Sequence, residues 1–297
     1  AGERYGLRIT TSDIPLETTQ IKATIWGVPG DPSDDHERGP NAGANGEESP
    51  GAAPPLAFLT LPAQCSVPPV YKVSVDSKSD PGNFATAETH VLGSGGEAAP
   101  LTGCDQVPFS PRIAAQATSR SATSPSGLDF ELNLPNEGLT SPYGIAETEP
   151  EKVAVALPEA VTANPSFAEG ISTCSEARYK AEQIDTAPGE GCPQASKLGS
   201  VEAHSPLLDE PIEGSLYLAT PYENKFESLI AIYMVLRAPA RGILVKQAGE
   251  VSPDPASGQL RTTFQERLPL PGSDFTLHFS EGARAPLATP AACGEYA

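Results

Sequence analysis

Residues 127–134 read GLDFELNL. Leu128, Phe130, Leu132 and Leu134 alternate with Asp129, Glu131 and Asn133, so an extended chain here has one apolar side and one charged side. A period of two marks a strand with one face against a core. A helix would scatter the same four apolar residues around its axis. Residues 275–279, FTLHF, repeat the pattern with Phe275, Leu277 and Phe279. Residues 228–236, SLIAIYMVL, are apolar on both faces and read as a central strand covered from both sides.

Working outward, further strands are predicted at 5–10, 20–26, 70–75, 152–157, 197–203, 214–219, 242–247 and 259–264. Many short strands separated by turn signals predict an all-β chain of tandem β-sandwich-like modules with long loops. One short helix is predicted at 175–184, SEARYKAEQI. Two domains are expected: an N-terminal β region, 1–138, carrying an acidic loop at 28–56, and a C-terminal sandwich-like domain, 139–297.

Composition supports this class. The 32 prolines and 27 glycines among 297 residues break helices and keep strands short. The net charge of −19 repels nucleic acid and anionic membrane surfaces, which leaves solubility, a cationic partner or a divalent ion as its uses. No run of 18 apolar residues is present, so no transmembrane segment is expected. The chain begins at Ala1 without a basic-plus-apolar leader and reads as the processed or excised part of a longer product.

None of the five cysteines forms a CxxC pair, so neither a zinc knuckle nor a thiol redox site is signalled. Cys65 and Cys104 bracket a turn-rich stretch, and their disulfide would add roughly 3–4 kcal/mol by loop closure. A Cys174–Cys192 disulfide would pin the predicted helix to the following strand, worth about 3 kcal/mol. Cys293 is left over, and an odd cysteine in an exported protein points to an interchain or downstream disulfide.

Chemistry is sparse. Asp31, Asp34 and Asp35 are candidate calcium ligands, although their loop lacks the glycine and terminal glutamate of an EF-hand. Four histidines, no GxSxG elbow and no GK[ST] after GSGGEA at 93–98 argue against hydrolase or nucleotide chemistry. Tyr217, Tyr222 and Glu223 together suggest a groove for carbohydrate or cell-wall polysaccharide.

Several long segments resemble large secreted β-rich proteins of actinobacteria with cysteine-paired modules. They are WGVPGDPSDDHERG (26–39), FLTLPAQC (58–65), CPQASKLGSVEAHSPLL (192–208), GSLYLATPYENKFESLIAIYMVL (214–236), SGQLRTTFQERLPLP (257–271) and FTLHFSEGARAPLATPAACGEY (275–296). The resemblance implies an extracellular or cell-surface protein and carries no catalytic residue onto this chain. It also implies a cysteine-bearing module downstream of ATPAACGEY, where Cys293 would find its usual partner. The expectation is a structural protein, not an enzyme, that associates with copies of itself by covering exposed strand edges. The alternatives are a carbohydrate-binding module and, less favoured, an extracellular hydrolase.

Overall fold

The computed structural model describes residues 8–12, 14, 20, 22–37, 54–63, 65–164, 172–264, 271–272 and 274–294. Residues 5–7 of the first expected strand and 38–53 of the acidic loop lie outside them. The strands are β1 (Val70–Ser77), β2 (Asp80–His90), β3 (Arg112–Ala117), β4 (Pro125–Ser126), β5 (Leu128–Asn133), β6 (Val153–Ala156) and β7 (Thr162–Ala163). The helix α1 (Glu176–Ala181) follows. After it come β8 (Lys197–His204), β9 (Ile212–Leu218), β10 (Ile230–Ala238), β11 (Ile243–Pro253), β12 (Leu260–Phe264), β13 (Asp274–Phe279) and β14 (Leu287–Ala288).

The chain is all-β, as its alternation dictates, with one α-helix among the described residues. It forms two compact units. The larger takes the described parts of 1–23, 110–137 and 149–297; the smaller takes those of 24–109 and 138–148. The division expected at 138/139 is not the one observed. β3 and β5 precede that point, yet they extend the sheet of the larger unit, because β5 supplies the hydrogen-bonding partner for one edge of β13.

The larger unit is built on a nine-stranded antiparallel sheet in the order β3-β5-β13-β8-β9-β10-β11-β12-β6, curled into a half-barrel. The predicted strands at 127–134 and 275–279 are neighbours in it, as β5 and β13. The strand read as central, β10, pairs on both sides, with β9 and β11. A second, three-stranded sheet, β4-β14-β7, links the start of β5, next to one edge, to the chain leaving the edge strand β6. β4 leads directly into β5 and β7 follows β6, and β14 pairs with both.

Curling requires the inward side of neighbouring strands to approach closely. Gly199 of β8 and Gly214 of β9 lie on that side, and a Cβ on either would collide with the backbone of the adjacent strand, at His278–Phe279 and Val235–Leu236 respectively. Glycine inside a strand marks such an approach. A register shift between Lys197 and Gly199 adds to the bend.

α1 covers the outward face. The Ser175 hydroxyl caps its N-terminus by accepting from the Arg178 amide, and Glu176 pairs with Lys180 one turn on. The helix ends at Ala181, short of the predicted 184. Glu182 leaves helical geometry, and the Lys246 ammonium donates to the Lys180 and Glu182 carbonyls at 2.9 and 3.2 Å. Tyr179 stacks on Tyr233 with ring centroids 4.1 Å apart. The Cys174–Cys192 disulfide is fully buried in this layer beside Tyr217, Ala219 and Val235. Burial pushes the Tyr233 phenol up to about 12 and the Tyr217 phenol up from its ordinary value.

In the smaller unit, β1 and β2 form a two-stranded hairpin. The Cys65–Cys104 disulfide spans 39 residues. GSGGEA at 93–98 forms the turn closing a bridge between Leu92 and Ala98. Residues 22–26 are not a strand, since among the described residues nothing forms a ladder with them.

Candidate functional site: an apolar cavity inside the half-barrel

The inward side chains form continuous rows across the sheet. One row runs Phe130, Leu277, Val201, Gly214, Leu236, Val245 over six strands. Another runs Leu218, Ile232, Gly249, Phe264, Val153. In a sandwich these rows would meet a second sheet about 10 Å away. Here the sheet curls around its own inward face and encloses a cavity of 480 Å³. That volume lies in the range of small-molecule sites, roughly 300–1,000 Å³.

Burial within the rows follows from this geometry. Leu216, Met234 and Leu236, at the middle of the sheet, are about 1% exposed. Phe264, Phe275, Leu277 and Phe279 pack against that core but remain half-buried, because among the described residues no protein atoms lie against the side they turn to the cavity. The wall is almost wholly aliphatic and aromatic. Among its few polar members, Asn164 donates to the Ala285 carbonyl at 2.9 Å, at the end where β4, β14 and β7 meet. Glu151, His204, Ser205 and Asp274 lie at the opposite end, where β6 and β13 begin and β8 ends.

The outward face of β5, β13, β8 and β9 is polar. Asp129 and His278 pair at 2.5 Å, and Glu202 and His204 at 2.7 Å. Ser200 sits directly across from His278, so three neighbouring strands present Asp, His and Ser in one row. This row is not an acyl-transfer centre. His278 makes no hydrogen bond to Ser200, and β8 is paired on both sides, so its amides are engaged in the ladders and cannot serve an oxyanion.

The remaining sequence candidates fall elsewhere. The two expected disulfides are both present. Cys293 is an exposed free thiol. Asp31 accepts from the amide and hydroxyl of Ser33 and, with Asp34 and Asp35, belongs to a loop and short 3-10 helix, Pro32–Glu37. Among the described residues no group of three His, Cys, Asp or Glu is placed to hold a metal ion. Tyr217 is buried beneath α1, whereas Tyr222 is exposed at a turn with φ of 59° and Glu223 is exposed beside it. These three residues therefore do not face a common groove. The signal for the cavity was present in the apolar sides of β5, β10 and β13, but alternation alone does not say what those sides face.

Comparison with protein families, with curated proteins and with solved structures finds no match for this chain. No helix among the described residues is long and apolar enough to cross a membrane.

Proposed function

We propose that this protein is an exported, disulfide-stapled binding protein that holds a small apolar molecule within its half-barrel. The observation that carries the proposal is the 480 Å³ cavity walled by half-buried phenylalanines and leucines. Apolar surface facing a void lacks dispersion partners, and covering it yields about 25 cal/mol per Å². Apolar cavities of this kind take apolar guests in preference to water. Two disulfides fit an oxidising compartment, and the resemblance to secreted actinobacterial proteins points the same way.

The uncharged fluorophore N-phenyl-1-naphthylamine tests this reading. Its emission is expected to rise saturably with one probe per chain. Val251→Trp and Thr262→Trp, from neighbouring strands, each place an indole in the cavity and should weaken binding by roughly tenfold or more while circular dichroism shows the fold intact. Absence of saturable binding to the native protein, or unchanged binding in the folded variants, overturns it.

A second reading, association with copies of itself at the cell surface, draws on the β1–β2 hairpin. Tyr71, Val73 and Val75 share one face with Ala85, Ala87 and Thr89, and the three larger residues are each more than half exposed. Each strand has one unpaired edge among the described residues. Strand addition would cover edge and face together, and the Cys293 thiol would lock such an assembly. Sedimentation of the native protein as an oligomer, returned to monomer by Val73→Lys, is the expected result. A monomer at every concentration sinks this reading.

A further inference from the structure

The cavity is long for its volume. On β10, Ile230, Ile232, Met234 and Leu236 all line it, and on β5 every second residue from Leu128 does the same. A strand rises about 3.3 Å per residue, so the six steps from Ile230 to Leu236 carry the cavity about 20 Å along the sheet. Spread over that length, 480 Å³ leaves a mean section of about 24 Å², or about 5 Å across. Carbon atoms in contact stand about 3.5–4.0 Å apart, so this section admits about one layer of carbon. An unbranched hydrocarbon chain fills it, whereas a compact polycycle or two chains side by side exceed it.

One end of the long axis opens to solvent. Leu229 precedes the first residue of β10, and Pro221 follows the end of β9. Both line the cavity, yet both are exposed, Leu229 by 57%. The loop between them is built around the buried Asn224. Its side-chain amide donates to the Thr220 and Ser228 carbonyls at 3.0 and 2.8 Å, and its Oδ1 accepts from the Phe226 amide at 3.1 Å. The rim of this mouth is therefore preformed. Toward the other end, Ala203 of β8 and Ile212 of β9 stand across from each other and line the wall.

Resting on the binding proposed above, we infer that the half-barrel takes one unbranched hydrocarbon chain, threaded lengthwise past the β9–β10 loop, with its head group left at the Leu229 mouth. A carbon–carbon bond of about 1.5 Å advances an extended chain by about 1.25 Å, so about sixteen carbons fill the cavity. The ligand class is the single-chain amphiphile of that length.

Displacement of N-phenyl-1-naphthylamine by octa(ethylene glycol) monoalkyl ethers, each below its critical micelle concentration, tests this. Affinity should rise about fourfold with each methylene from octyl to about hexadecyl, and stay level to octadecyl. Decanol and the decyl ether should bind within about threefold of each other, because the head lies outside. 1-Adamantanol, with as many carbons as decanol, should bind at least about tenfold more weakly. Ala203→Phe fills the far end and should bring the level about four carbons earlier, with octyl binding changed by no more than about twofold and the fold intact by circular dichroism. A level reached before tetradecyl, or none by octadecyl, overturns the inference while the binding proposal stands. So do adamantanol binding as tightly as decanol, a decyl ether bound at least about tenfold more weakly than decanol, or an unmoved level in folded Ala203→Phe. Absence of binding by N-phenyl-1-naphthylamine overturns both.

Discussion

Arg237→Ala is expected to lower the unfolding free energy by roughly 3–5 kcal/mol, the range for breaking one side of a buried ion pair. Arg237 projects from β10 to the loop after α1, where its guanidinium bonds the Glu182 carboxylate and, at 3.0 Å, the Gln183 carbonyl. The Glu182 side chain is 3% exposed, and its other oxygen accepts from the Cys192 amide at 2.7 Å. One carboxylate therefore joins α1, β10 and the disulfide. Removing the guanidinium leaves that charge buried with a single amide to satisfy it. The double variant Glu182→Gln/Arg237→Met should lose distinctly less than Arg237→Ala, because no uncompensated charge remains. Urea unfolding measures both. If Arg237→Ala costs no more than the double variant, the pair does not bear the charge as argued.

The same layer shows what was legible from residue order. GLDFELNL became β5 because its alternation is unambiguous, and SLIAIYMVL became β10 because both of its faces are covered. Its two covers differ in kind: α1 and the disulfide lie on one side, the cavity wall on the other. Nothing in a two-sided apolar strand distinguishes these. Tyr217 suffered from the same ambiguity. A tyrosine in a strand reads as a surface group for sugar until a helix is known to lie over it. β2 was missed because Asp80, Pro81 and Gly82 open it with turn residues, and β3 because RIAAQA has little contrast between its faces. The division into units was hidden for a different reason. It depends on β5 pairing with β13 across more than 140 residues, and local pattern does not encode partner choice.

Gly214→Val is expected to cost roughly 3 kcal/mol or more, at or above the upper range for overpacking, because the collision is with backbone. β9 is held between β8 and β10, and Gly214 sits inward between Val201 and Leu236. A Cβ there would meet the Val235 carbonyl and lie 2.7 Å from Leu236 Cα. No rotamer relieves that contact, so β9 and β10 must separate, and separation flattens the sheet where it curls. The adjacent Glu213→Val, at an exposed outward position, should change stability by about 0.5 kcal/mol or less. The two variants differ by one residue along the strand, and therefore by the face they load. Where Gly214→Val remains folded, it should also bind N-phenyl-1-naphthylamine more weakly than Glu213→Val does, since the curl that requires glycine is the curl that encloses the cavity. Wild-type stability in Gly214→Val would mean that the half-barrel does not depend on the close approach at this position.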